Sequence, residues 1–415
     1  MTVLLINSND SSGGAARAAY QLHQGFQKIG LDSQMLVQTK RTDNSTVTLQ
    51  QAKLNRKIAQ SIPNLTTWPL PIYRQREKLL FSPQWFPDRL VNQVKQINPS
   101  IINLHWICQG FVKIETLPKF KKPLVWTCHD MWPFTGGCHY SRKCDRYQES
   151  CGTCPILHSH QKRDLSNWVW KRKAKAWKNL NLTIVTPSSW LAKCVSSSSL
   201  FKDLAVRVIP NGLDLERFKP IDRKIARQIL NLPQDKQLIL FGSLSPTSDR
   251  RKGFHLLQPA LQSLSQAGWQ DKIQLVIFGS SQPQETPELG FKCRYLGRFD
   301  DDISLALVYT AADVFVAPSV QDNLPNTIME AIACGTPCVG FNIGGIPDMI
   351  DSQLNGYLAK PFETEDLAQG IAWVLENPER HKKLSHQARE KARKEFSQEL
   401  QAQRYSSLFQ EILQK

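Results

Sequence analysis

A chain of 415 residues, 41% of them hydrophobic, can bury sizeable cores and is expected to fold as two or three domains of roughly 150 residues each, which excludes a disordered chain or a miniprotein held by staples. Its 52 Lys and Arg against 36 Asp and Glu leave a net charge of +16, which favours an anionic partner such as nucleic acid, acidic lipid headgroups or a phosphorylated small molecule. Apolar runs at residues 2–6, 237–241 and 313–317 are strand-sized, well short of the roughly 20 residues a membrane span needs.

The opening MTVLLINSNDSSGG has no basic segment before its short apolar stretch, so a cytoplasmic location is expected, with cysteines reduced or metal-bound. Residues 3–7 are predicted to form a buried strand. A loop with Gly13-Gly14 follows, then Ala15, Ala18, Leu22, Phe26 and Ile29 at helical spacing. Further strands are predicted at 34–37, 100–105 and 124–128, with a polar stretch at 39–65 and a Trp/Pro-rich segment around 68–87 between them. An insert at 134–155 carries four cysteines, and a basic helix with tryptophans follows at about 165–180. A strand at 182–185 and a helix ending in the serine run 196–199 close the first domain, assigned to residues 1–203.

A second alternation begins at 206–209. Strands are predicted at 238–241, 273–278, 293–296, 314–317 and 338–341, with helices at 254–267, 303–311 and 326–333. Residues 204–393 form the expected second domain. The charged tail is helical over 364–376 and 378–414, with 394–415 expected to return to the first domain. Two βαβα runs predict an α/β protein made of two doubly wound domains facing across a cleft.

Residues 318–350 carry the densest signal. A strand ends at Pro318, a loop bears Asp322, Asn323 and Asn326, and the next helix bears Thr327 and Glu330. Strand-end loops of doubly wound sheets bind ligands, a helix N-terminus favours an anion, and a carboxylate one turn in can accept from two vicinal hydroxyls. Gly344-Gly345 offers close backbone approach at the next strand end. The pattern Asp322-x7-Glu330, Ala331-Ile332-Ala333-Cys334-Gly335-Thr336-Pro337, Gly344-Gly345 resembles the signature of family 4 retaining glycosyltransferases (glycosyl transferases group 1). Further matches are Gly13-Gly14, His129, Pro187-Ser188, Ile209-Pro210-Asn211-Gly212-Leu213-Asp214 and Arg251-Lys252-Gly253. The segments DNLPNT and HDMWPFTGGCHY are most like the colanic-acid and exopolysaccharide branch.

That resemblance implies a GT-B fold of two Rossmann-like domains and retaining transfer of a sugar from a UDP- or GDP-type donor to a hydroxyl of a glycan or polyprenyl-linked glycan. It implies that Asp322 and Glu330 hold the donor's sugar and ribose, and that His129 positions a hydroxyl. It further implies that Lys252, Arg251, Gly13, Gly14, Asn323, Asn326, Thr327, Gly344 and Gly345 bind the nucleotide-sugar donor, with Lys252 and the glycine loops at its diphosphate, and that no catalytic cofactor is needed. Two departures stand out: the first acid is Asp322 where the family usually has Glu, and Ser243 stands where it commonly has an arginine, so Arg250 or Arg251 must replace that charge or Lys252 act alone. An alternative is a non-catalytic module of the same fold, or a basic adaptor for lipid or nucleic acid; no recognition motif supports nucleic acid.

The insert reads Cys138-x5-Cys144-x6-Cys151-x2-Cys154. This spacing suits a structural Zn site, a redox or disulfide pair, or unligated thiols. Cys108, Cys128, Cys194, Cys293, Cys334 and Cys338 are read as small buried hydrophobes. The helix WVWKRKAKAWK sets Trp170, Ala174 and Trp177 on one face and cations on the other. It fits either a core helix with a solvated basic face or peripheral attachment to an anionic membrane at its inner face.

Overall fold

The computed structural model describes residues 1–50, 66–242, 249–283, 288–299 and 301–414. The chain divides into two compact units, one of Met1–Pro210 with Gln401–Lys415 and one of Asn211–Leu400.

The first unit holds a seven-stranded sheet in the order β3-β2-β1-β4-β5-β6-β7. Its strands are β1 (Val3–Asn9), β2 (Ser33–Thr39), β3 (Val47–Leu49), β4 (Ile101–Leu104), β5 (Leu124–Thr127), β6 (Leu182–Thr186) and β7 (Val206–Val208). Every pairing is parallel. Parallel strands need crossovers that cover both faces, which is why β1, β4 and β5 are mostly apolar and buried except at Asn9. The order reverses between β1 and β4, the switch point where crossovers diverge and leave a crevice. Helix α1 (Gly14–Lys28) buries Ala19, Leu22 and Phe26 against β1 and β2.

The expected first boundary, residue 203, falls short. Val206 pairs with Ile184, so β7 is the edge of the first sheet and not the start of the second. The chain also returns later than expected: residues through Leu400 belong to the second unit and Gln401 onward to the first. Ala402, Tyr405 and Phe409 of the last helix (Gln398–Leu413) are buried in the first core, with Tyr405 and Phe409 rings 6.2 and 5.7 Å from Phe26.

The second unit's sheet runs β10-β9-β8-β11-β12-β13, built from β8 (Gln237–Gly242), β9 (Ile273–Phe278), β10 (Lys292–Tyr295), β11 (Val314–Ala317), β12 (Cys338–Phe341) and β13 (Gly356–Ala359). It too is wholly parallel, with its switch point between β8 and β11. The predicted tail helix is broken at Phe396 and Ser397, where Leu213 bridges to Ser397.

Candidate functional site

β11 ends at Ala317 beside the switch point, and a loop leads into a helix at Asn326–Ala333. The turn after Lys252 lies flush on this loop. At Gly253, φ is +77° and a Cβ would sit 1.7 Å from the Pro318 carbonyl oxygen, so only glycine fits. Lys252 Nζ is thereby placed 2.8 Å from Asp322 Oδ2, and Arg251 Nη1 3.0 Å from the same oxygen. Arg251 also donates to the Gln321 carbonyl at 3.2 Å, whereas Arg250 is exposed. Arg251 is therefore the arginine on the acidic loop; Ser243 lies outside the described residues. Burial alone would raise the Asp322 carboxyl, but Lys252 and then Arg251 overcome it and hold the group down at about 2.

The glycine pair serves this loop. Gly344 has φ +55°, and a Cβ there would lie 2.2 Å from the Asp322 carbonyl oxygen. The Gly345 amide donates to that oxygen at 3.1 Å. The Gly345 N–H thus helps to shape the acidic loop. Asn323 N–H donates to Asp322 Oδ1 at 3.1 Å. Asn326 Oδ1 accepts from Asn211 Nδ2 at 3.4 Å, and Thr327 is half-buried in the helix's first turn.

Glu330, 3% exposed, accepts at Oε2 a 2.7 Å hydrogen bond from the Tyr309 hydroxyl. Tyr309 is itself fully buried, edge-on to Phe278 and Phe315 at 5.6 and 5.7 Å. No spacing in the sequence marks Tyr309, which sits within the apolar helix Asp302–Ala311.

In the first unit, the strand ends beyond the switch point carry imidazoles. Asn103 donates through Nδ2 to the Val125 carbonyl and to Thr127 Oγ1, at 3.1 and 3.0 Å. Its Oδ1 therefore accepts from His105 Nε2 at 3.0 Å, and His105 Nδ1 is left to accept from His129 Nε2 at 2.9 Å. The chain continues from Thr127 to the Tyr405 hydroxyl at 2.8 Å. Burial brings His129 down to about 4, against a smaller opposing pull from Asp130, and it drives His105 well below the usual imidazole range. His129 is thus a neutral, half-buried hydrogen-bonding group near neutral pH. Gly13 and Gly14 cap and open α1, just after β1, whose Asn7 accepts from the Trp106 amide at 2.8 Å.

Next along the chain, His139 Nδ1 donates to Asp130 Oδ2 at 2.6 Å, and its Nε2 lies 2.9 Å from Ser82 Oγ. Ser82 is 5% exposed, so this Ser-His-Asp string is a buried tie that pins the cysteine insert to the end of β5. The four insert cysteines are free thiols lining one small cavity. Among the described residues no group of three or more His, Cys, Asp and Glu side chains is arranged to hold a metal ion, so the tetrathiolate suggested by the spacing is not preformed. Two cysteines read as buried, Cys194 and Cys293, are only half-buried.

The Trp-bearing helix (Leu165–Trp177) differs from its expected orientation. Its inner face is Leu165, Val169, Lys173 and Trp177, while Trp170 is half-buried and Trp168 is 45% exposed. Lys173 is wholly buried because its ammonium has partners: it donates to the Trp132 and Thr135 carbonyls and lies 3.6 Å from the Trp132 ring centroid. Burial pushes it down to about 7. No helix among the described residues is long and apolar enough to cross a membrane.

The family described as glycosyltransferase family 4 matches residues 12–217, and that described as glycosyl transferases group 1 matches residues 222–393. The chain belongs to this glycosyltransferase family. It is 24% identical over 358 residues to WcaC of Escherichia coli, named for colanic acid biosynthesis, with 82% of each chain covered. It is 34% identical over 209 residues to a D-inositol 3-phosphate glycosyltransferase of Saccharomonospora viridis; that match spans 46% of each chain, under half the relative's length. Among solved structures, the sucrose-phosphate synthase of Thermosynechococcus elongatus aligns with TM-score 0.68 at 20% identity, covering 99% of this chain and 98% of that one. HepE of Anabaena, in complex with UDP and glucose, aligns with TM-score 0.65 at 17% identity, covering 99% and 100%. Both likenesses concern the GT-B fold.

Proposed function

We propose that the chain is a retaining, nucleotide-sugar-dependent hexosyltransferase that moves a sugar from a UDP- or GDP-sugar to a hydroxyl of a glycan or polyprenyl-linked glycan in cell-surface polysaccharide assembly. The observation that carries this reading is the Lys252–Asp322–Arg251 cluster at the switch end of the second sheet, with Glu330 on the helix that follows. A breaking glycosidic bond leaves charge on the departing diphosphate, and preorganised cations stabilise that charge. The Lys252 ammonium has three donors and gives one to Asp322, so a phosphate oxygen can share it.

Asp322, ionised far below neutral pH, is an acceptor only and suits a donor-sugar hydroxyl. Glu330, fixed through one oxygen by Tyr309, suits the ribose hydroxyls, and neutral His129 suits a sugar or acceptor hydroxyl. The same reading places the protein peripherally at the inner face of an anionic membrane. Exposed Trp168, on the same helix as the exposed Lys171 and Lys175, supports that placement. The test is to incubate the protein with donor and lipid-linked glycan and determine the product's anomeric configuration by NMR. The donor's configuration is expected in the product; the inverted anomer, or free sugar alone, overturns the reading.

A further inference from the structure

The cysteine insert plays no part in that chemistry, yet its construction is unusually specific. Cys138, Cys144, Cys151 and Cys154 all line one cavity of about 20 Å³, room for about one water-sized sphere and hence for one ion, not a polynuclear cluster. Backbone conformation turns the thiols toward it: Cys151, Gly152 and Thr153 are all left-handed, with φ of +52°, +96° and +45°. The turn is fastened from outside, since the Cys154 amide donates to Asp164 Oδ2 and the Gly152 amide to Ser166 Oγ, each at 2.8 Å. These bonds hold the turn in place, as the outer shell of a metal site does.

We propose that Cys138, Cys144, Cys151 and Cys154 bind one zinc-class divalent cation as a tetrathiolate that locks the insert. The thiols reach it by side-chain rotation around the cavity, since they are not in ligating positions without the ion. Binding releases up to four protons to solvent and changes no oxidation state. The insert so locked carries His139, the partner of Asp130, and through it the end of β5 that leads to His129. The inference stands apart from the transferase reading and is tested without any activity assay.

The full-length protein, purified in reductant, is analysed for metal, then stripped and reconstituted with Co²⁺. About one zinc per chain is expected, and the Co²⁺ form should show intense visible bands with sulfur-to-cobalt charge transfer. Cys138→Ser and Cys154→Ser should each bind less than about a tenth as much metal, while Cys194→Ser, outside the cavity, keeps full occupancy. The wild-type cobalt spectrum decides the matter even if the serine variants fail to fold. Iron in place of zinc, two disulfides by mass, or four titratable thiols with no metal after reconstitution would each overturn the proposal.

Discussion

At the strand ends of the first sheet Asn103, His105 and His129 form a neutral, interlocked string, whereas at those of the second Asp322 pairs with two cations, Lys252 and Arg251. Asn103, His105 and His129 form one hydrogen-bonded string in which burial keeps the imidazoles uncharged. Asp322 is held ionised by Lys252 and then Arg251, both on one of its oxygens. Two sheets of related topology thus present different chemistry to a ligand. The first is suited to aligning hydroxyls, and the second to holding and neutralising an anion.

The comparison breaks most visibly if the cations of the second unit are dispensable. Lys252→Ala is expected to lower kcat/KM about 10²- to 10³-fold, the size of losing one preorganised charge-stabilising donor. The loss should exceed that of His129→Ala. Steady-state kinetics with a matched donor measures both, and equal effects would merge the two roles.

A smaller effect separates the units by pH. His23 and His129 are lowered to about 4 by burial, and burial also drives His105 well below the usual imidazole range. The unfolded chain therefore takes up these protons first as pH falls. The contribution of His23 and His129 to stability is full above about 6.5 and is lost toward pH 4, up to about 3 kcal/mol each. Asp322, lowered to about 2, loses its share only as pH falls from 3.8 toward 2. Urea unfolding followed by the fluorescence of Trp126 and Trp132, buried in the first unit, should shift to lower urea between pH 7 and 4.5; an unchanged midpoint would contradict the neutral string.

The smallest expected change sharpens the second unit alone. Tyr309→Phe removes the hydroxyl that fixes Glu330, and donor KM should rise about tenfold with kcat within about twofold, the cost of one hydrogen bond to a carboxylate. A merely structural role would lower Tm and leave KM in place.

Much of this was legible in the sequence wherever burial is complete. The strands Ile273–Phe278, Val314–Ala317 and Cys338–Phe341 and the helix Asn326–Ala333 coincide with their predicted bounds, because continuous apolar runs between turn residues admit few alternatives. Short or half-exposed elements left no such trace. β3, β13 and the helices Leu90–Ile97 and Arg223–Ile229 were not anticipated, and in Arg223–Ile229 only Ala226 and Arg227 are buried. β7 was given to the wrong sheet because an exposed edge strand at a junction reads equally well with either neighbour.

The site followed the same division. Lys252, Asp322 and Glu330 sit in a recognisable linear pattern, but Tyr309 and His105 act through contacts made only in the fold. Lys173 misled because a cation in a basic helix is expected outside; the Trp132 and Thr135 carbonyls that draw it inward lie some forty residues away.

The most direct test of the central claim, that the charged end of the second unit binds a nucleoside-diphosphate sugar, is thermal unfolding with a panel of UDP-, GDP- and ADP-sugars. Wild type, Glu330→Gln and Glu330→Ala are compared side by side. One UDP- or GDP-sugar should raise the wild-type Tm, and both variants should lose most of that rise while unfolding cooperatively without ligand. If no nucleotide sugar stabilises the wild type, or if the variants are stabilised equally, the claim is contradicted.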